Sequence, residues 1–409
     1  MSEVAEALRQ QAALAQRCES IAPFFVMELV KEAEQLERSG RSIMHLSIGE
    51  PDFTAPPAVV GAAQAALQQG RSRYTPAVGT LELRRAISAF YQQRFGVDVE
   101  PERIVVTAGA SGALVLLLSA LLDTGDELLL PDPSYPCNRH IASTLGARWR
   151  LLACGPHDRF QLTAEAVEAA WSARTRGVLI GSPSNPTGTT INAGNLAALC
   201  DRVFARGGFV LVDEIYQGLT YDHAANTALS LDPRIAVINS FSKYFGMTGW
   251  RLGWIVAPRE WIGTLERLSQ NLYLCAPAIA QHAALACFEP ESLAVCEQQR
   301  EELRLRRDYL VPALRGLGFG IPVVPDGAFY IYADIGGVAH DLADRRGGST
   351  QFARRLLNEA GVCLVPGKDF GDFESERYVR ISYATSMQHL QEAVRRTGAW
   401  LGSCGQARC

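Results

Sequence analysis

An α/β protein is predicted: a large part built on a mainly parallel seven-stranded sheet with one antiparallel strand, flanked by helices, and a smaller α+β part. Three observations predict it. Hydrophobic residues make up 48% of the 409 residues, ample for a large buried core. From about Glu102 onward, short β-rich runs alternate with helical stretches, the pattern of a sheet covered on both faces. Beyond Pro258 that alternation stops, and a long helical region leads into a few separated strands. At roughly 150 residues per domain, the length suits two or three domains.

Taken in order, the run Phe25–Leu36 carries apolar residues at Val26, Leu29, Val30, Ala33 and Leu36, a helical stripe that needs a partner surface. Its expected place is beside the C-terminal part. The expected sheet strands are Ile104–Thr107, Glu127–Pro131, Trp149–Ala153, Gly177–Gly181, Phe209–Asp213, Ala236–Ser240 and Gly253–Ala257. Helical patterns such as Thr163–Ala173 and Ala193–Arg206 lie between them. The seventh strand follows the sixth too closely for a helical crossover, so it is expected to run antiparallel. Residues Glu260 to Arg315 read as helical. Strands are then expected at Phe319–Val324, Phe329–Ile335, Val362–Val365 and Tyr378–Ser382. Residues 51–290 are expected to form the large domain, and 1–50 with 291–409 the small one. The segment Gly402–Cys409 reads as a frayed tail.

Composition excludes several classes of function. Lys plus Arg number 39 against 43 Asp plus Glu, a net charge of −4, which argues against a general nucleic-acid binder. The longest apolar stretch, Ala113–Leu122, is interrupted by Ser119, and a membrane span needs about 20 residues. Glu3, Glu6 and Glu19 stand among polar residues with no apolar run, unlike a signal peptide. Ten cysteines show no C-x-x-C pair and read as reduced thiols. Seven histidines lack ligand spacing, so no metal site is expected. These features point to a soluble cytoplasmic protein.

In open α/β sheets, ligands bind beyond the carboxyl ends of the strands, and four such ends carry suitable groups. Ala108-Gly109-Ala110-Ser111-Gly112 follows Ile104–Thr107 and opens an apolar helix, where small residues let backbone N–H groups reach an anion. A tight β–α turn explains it equally well. Ser182-Pro183-Ser184-Asn185-Pro186-Thr187-Gly188 follows Gly177–Gly181; it reads as an Asn-Pro turn or as an amide held towards a ligand. Asp213 ends an apolar strand, with Tyr216 three residues on. A carboxylate there is costly to bury unless something positive faces it, whether a heterocyclic nitrogen or a structural arginine. The fourth end runs from Ser240 to Gly253 as SFSKYFGMTGWRLG. Lys243 sits there between hydroxyls, with Arg251 eight residues later. A lysine freed of its charge forms Schiff bases, and serine with arginine suits a phosphate.

This run resembles the pyridoxal-phosphate attachment segment of class I aminotransferases, fold type I. Six further blocks resemble the same family: LSIGEPDF at Leu46–Phe53, YTPAVGTLELRRAI at Tyr74–Ile87, SPSNPTG at Ser182–Gly188, VDEIY at Val212–Tyr216, PDGAFYIYADI at Pro325–Ile335 and VRISYA at Val379–Ala384. They run in order over nearly the whole chain, and their joint occurrence carries weight that no single motif has.

The resemblance implies the following roles. Lys243 would hold pyridoxal 5'-phosphate and shuttle a proton between Cα and C4′. Asp213 would pair with the protonated pyridine nitrogen. Tyr216 and Asn185 would hydrogen-bond the phenolic oxygen, and Tyr135 would stack on the ring. Ala110, Ser111, Gly112, Ser240, Ser242 and Arg251 would hold the phosphate. Tyr74 would reach the phosphate of a neighbouring subunit, implying a homodimer. Arg380 would clamp the substrate α-carboxylate, with the backbone of Gly49 on the same group.

The leading expectation is therefore ping-pong amino transfer between an L-amino acid and a 2-oxo acid. A β-lyase, decarboxylase or synthase on the same scaffold is an alternative. A ligand-sensing regulator is a third, disfavoured because the segment before Leu46 is too short for a DNA-binding domain and the charge is not basic. For the substrate side chain, the residues to watch are Phe24, Phe25, Met247 and Tyr330. No second arginine marks a dicarboxylate pocket, so neutral or aromatic donors are expected, with 2-oxoglutarate or pyruvate as acceptor.

Overall fold

Runs such as Ile-Val-Val-Thr and Phe-Val-Leu-Val-Asp are apolar up to their last residue, and the fold buries them on both faces. The computed structural model describes residues 15–21, 25–224, 226–338 and 348–406. Phe24 and the last residues of the expected tail, 407–409, lie outside them. The chain opens with α1 (Phe25–Arg38), β1 (Met44–His45), α2 (Pro57–Gln68) and α3 (Leu81–Phe95). There follow β2 (Ile104–Thr107), α4 (Gly109–Leu121), β3 (Glu127–Asp132), α5 (Cys137–Thr144) and β4 (Arg148–Ala153). Next come α6 (Ala164–Ala170), β5 (Thr175–Gly181), α7 (Ala193–Phe204), β6 (Phe209–Asp213), β7 (Ala236–Ser240) and β8 (Gly253–Val256).

These strands form one seven-stranded sheet in the order β2-β8-β7-β6-β5-β3-β4. β8 is antiparallel to both β2 and β7, and the remaining pairings are parallel. The short β7–β8 connection thus inserts one reversed strand, as its length requires. Helix starts follow local chemistry. Thr163 Oγ1 accepts from Ala166 N at 3.2 Å and Asn192 Oδ1 from Asn195 N at 2.8 Å, capping α6 and α7.

The expected helical region Glu260–Arg315 is broken. It forms α8 (Arg259–Leu272), α9 (Ala278–Ala284) and α10 (Pro290–Gly316), with Pro277 and Pro290 at the starts of the later two, where proline belongs. The rest comprises β9 (Tyr330–Asp334), α11 (Gly348–Arg355), β10 (Val362–Cys363), β11 (Val365–Pro366), β12 (Tyr378–Ser382) and α12 (Met387–Gln406). Two expectations need correction. Phe319–Val324 is not a strand: only Gly320 bridges Asp334, and Pro322 lacks the N–H a ladder needs. Val362–Val365 is two strands, β10 pairing with β1 and β11 with β12.

α1 lies against this last part. Leu29 and Ala33 are buried, and the Phe25 N–H donates to Asp369 Oδ1 at 3.1 Å. No helix among the described residues is long and apolar enough to cross a membrane.

Candidate active site

A cavity of about 470 Å³ opens at the carboxyl ends of the parallel strands, where β3 and β5 separate chain segments that turn opposite ways. The chain contains three lysines, Lys31, Lys243 and Lys368, and only Lys243 lines this cavity. It stands just past β7, and its Nζ donates to the carbonyl oxygen of Gly49 at 2.6 Å. Burial is the main reason its amine is pushed down to about 8; Arg251 and Arg380 add to this, while Glu50 and Asp213 oppose it. A lysine so placed offers a far larger neutral, nucleophilic fraction near neutrality than an exposed lysine does.

Asp213 ends β6. Burial pushes its carboxyl up to about 6, against the Ile215 N–H donated to Oδ1 at 3.0 Å and the nearby Lys243. A carboxylate in that state gains from a positive partner in the cavity. Tyr216, one turn on, shares a 2.8 Å hydrogen bond with the Tyr330 hydroxyl, and desolvation holds its phenol far above the ordinary value.

Arg380, on β12, is buried. Its Nη1 donates to Asn185 Oδ1 at 2.9 Å and its Nη2 to the Ser47 carbonyl at 2.7 Å. The guanidinium carbon lies 4.5 Å from the Tyr330 ring centroid and 4.9 Å from that of Phe370. Nε has no partner, and no carboxylate of the described residues pairs with this arginine. Asp369 is near enough for Arg380 to help hold its carboxyl down against burial, but a buried guanidinium with no direct ion pair is costly and is prepared for an anionic ligand.

At the other end, the β7–β8 turn meets the start of α4. A Cβ on Gly109 would lie 2.6 Å from Arg251 Nη2, and one on Gly253 would lie 2.9 Å from Ala110 N. Only glycine allows this approach. Arg251 itself has φ +54, a backbone state that costs a non-glycine residue energy and is common at functional sites. Ala110, Ser111, Ser242, Thr248 and Arg251 line the cavity there, with free N–H groups at the helix start.

The cavity therefore gathers Gly49, Ala110, Ser111, Tyr135, Asn185, Asp213, Tyr216, Ser242, Lys243, Arg251 and Arg380 from seven segments of chain. Three expected residues stand outside its lining. Gly112 is within α4, a turn inside the helix. The Ser240 hydroxyl is spent on Ser242 Oγ at 2.9 Å and the Leu252 carbonyl at 3.0 Å. Tyr74 is 82% exposed on the surface. Met247 is buried in the core, whereas Tyr330 lines the cavity. Ser134, Asn138 and Thr248 also line it, and so does α1 through Val26, Met27 and Val30. No signal in the local sequence marks these. They reach the cavity only through tertiary closure.

Ser134 Oγ, Asn138 Oδ1 and Arg380 Nε are buried without hydrogen-bond partners, which fits a site shaped for a polar molecule. An amine for a carbonyl, a carboxylate for a ring cation and a helix start with arginine for a phosphate fit pyridoxal phosphate.

Fold and site together define an enzyme that handles small charged molecules through a lysine at the edge of a mainly parallel sheet. The family model for aminotransferase class I and II matches residues 41–396. The chain belongs to that family, whose members are pyridoxal-phosphate-dependent transferases of nitrogenous groups. It is 39% identical to the valine–pyruvate aminotransferase of Mycobacterium tuberculosis, over 94% of this chain and 97% of that one. It is 35% identical to the aspartate/prephenate aminotransferase of Thermus thermophilus, over 95% and 99%. Its fold matches the crystal structure of an aminotransferase from M. tuberculosis with a TM-score of 0.90 at 38% identity, covering 96% of this chain and 100% of that one. The chain is thus a pyridoxal-phosphate-dependent aminotransferase.

Proposed function

We propose that this cavity moves an amino group between a neutral L-amino acid and a 2-oxo acid by a ping-pong sequence, with the cofactor carried on Lys243. The reading rests on one juxtaposition: a desolvated lysine amine, a buried carboxylate and a guanidinium lacking a carboxylate partner line a single cavity. The bound cofactor supplies an electron sink for the pair left when a proton departs from the substrate's Cα. Asp213 would hold the ring nitrogen protonated. Tyr216 and Asn185 would hydrogen-bond the phenolic oxygen, and Tyr135 would cover one ring face. Ala110, Ser111, Gly112, Ser240, Ser242 and Arg251 would hold the phosphate, Gly112 from within α4 and Ser240 through its bond to Ser242 Oγ. Arg380, with the backbone of Gly49, orients the α-carboxylate. Lys243 Nζ, released from the cofactor, would be the base that takes and holds the Cα proton.

A neutral donor side chain is supported by the cavity wall of Val26, Val30, Ile48 and Leu114. Arg251 and Arg380 are its only arginines among the described residues, and both have other duties. We take residues 51–290 as the cofactor-binding domain, 1–50 with 291–409 as the second, and the cytoplasm as the location.

Transfer and elimination part after the Cα proton is removed, because elimination needs an acid for the group leaving Cβ. No histidine lines the cavity among the described residues. Enzyme given an amino acid without a Cβ leaving group should therefore release one 2-oxo acid per subunit and stop. Added 2-oxo acid should restart it and yield a new amino acid. Steady release of ammonia and pyruvate from cysteine-like donors, with no such stoichiometric burst, would favour the lyase.

A homodimer is supported by the exposure of Tyr74 at 82%, and by that of apolar groups such as Leu272 and Leu274, each at 51%. If Tyr74 completes the partner's phosphate site, Tyr74→Phe should weaken cofactor affinity about tenfold, the scale of one hydrogen bond to a charged group, and leave the dimer intact. Mixed with Lys243→Ala subunits, the hybrids carry one site with both native residues. Titration should then recover native cofactor affinity in that site. Affinity no better than in Tyr74→Phe alone would contradict the cross-subunit role.

A further inference from the structure

Asp369 stands in a short turn after β11, eleven residues before Arg380, and is 4% exposed. Burial pushes its carboxyl up, and the guanidinium groups of Arg380 and Arg139 help hold it down. Burying a carboxylate is costly unless its oxygens are satisfied. Here both are used. Oδ1 accepts from Phe25 N at 3.1 Å and Oδ2 from Val26 N at 3.4 Å. These are two of the N–H groups that a helix leaves unpaired at its first turn. Asp369 therefore caps α1 with a side chain from the opposite end of the chain, and its charge suits the positive end of the helix.

The same turn also grips the other side of the cavity. The Asp369 carbonyl accepts from Arg139 Nη2 at 3.0 Å, and the Phe370 carbonyl accepts from Ser134 N at 2.9 Å. α1 presents Val26, Met27 and Val30 to the cavity, while the segment held by Arg139 presents Ser134, Tyr135 and Asn138. One turn of chain thus ties the apolar wall to the polar wall.

We propose that Asp369 is a positioning residue that seats α1 as the wall selecting an apolar donor side chain. The donor half of this rests on the aminotransferase reading above; the seating of the helix does not. Without the cap, the first turn of α1 frays and Val26, Met27 and Val30 lose their fixed distance from the opposite wall. A small donor such as alanine does not reach that wall, whereas a branched donor such as valine does. A merely stabilising role would affect both donors alike.

The test compares Asp369→Ala with Asp369→Asn in the holoenzyme, since asparagine caps a helix about as well as aspartate and alanine does not. In Asp369→Ala, amide hydrogen exchange over the peptide covering 25–38 should speed up about fivefold or more. The kcat/KM ratio for valine over alanine should fall by a similar factor through KM. Asp369→Asn should retain most of both. Phe25→Pro, which removes one donor at a position where proline is tolerated, should reproduce the faster exchange and serves if the alanine variant does not fold. The exchange measurement needs no turnover, so it judges the helix seating even if the donor reading fails. Unchanged protection in Asp369→Ala and Phe25→Pro overturns the seating. Lost protection with an unchanged valine-to-alanine ratio overturns the selection.

Discussion

Lys243→Ala should lower turnover by roughly 10,000-fold or more, the upper range for a positioned acid–base group. The same variant should lose the borohydride-reducible link to the cofactor. Two other lysines exist to compete, Lys31 and Lys368; both are exposed, and Lys368 pairs with Asp372 at 3.1 Å. A peptide map of the reduced holoenzyme therefore has a single expected answer. A labelled peptide centred on Lys31 or Lys368 would refute the assignment. Because burial pushes the Lys243 amine down to about 8, cofactor capture by the cofactor-free protein should rise with pH and level off just above 8. An exposed lysine would keep rising past 10, because its amine is still protonated there. Such a profile would place the reactive amine elsewhere.

Arg380→Lys should cost about 100-fold in kcat/KM for amino acids and far less for primary amines that lack the carboxylate. The guanidinium offers two parallel N–H donors to a carboxylate and an ammonium does not. Here the rigid fork is already aimed by Asn185 and the Ser47 carbonyl, a geometry lysine cannot reproduce. Hydrogen bonds to charged groups contribute about 1.5–3 kcal/mol, which sets the size of the expected loss. Equal losses for both donor types would mean that Arg380 serves the fold rather than the substrate.

The large sheet was legible because its central strands are largely apolar and bounded by turns. Ile104–Thr107, Phe209–Asp213 and Ala236–Ser240 match their expected bounds. Val362–Val365 is as apolar as these, yet it changes partner at Leu364, from β1 to β12. A change of neighbour leaves no trace in an unbroken apolar run. The site divides in the same way. Lys243 and Asp213 stand out because each is a charge at the end of an apolar strand. Ser134, Asn138 and the α1 wall are ordinary residues in ordinary segments, and only the folded chain brings them to the cavity. Asp369 lies in an unremarkable turn. What distinguishes it is being buried against the N-terminus of a helix more than 300 residues away in sequence.

The reversed strand β8 has a consequence for how the protein assembles. It lies between β7, its near neighbour, and β2, with Ile104 opposite Val256. The β7–β8 hairpin forms locally, but joining it to β2 closes a very long loop, a slow step for any chain. The approach of Arg251 to Gly109 depends on that closure. On the proposed roles, a growing or refolding chain holds its lysine early but cannot grip phosphate until both flanks of the sheet have met. The cofactor's spectral change would then be a clock for the last stage of folding.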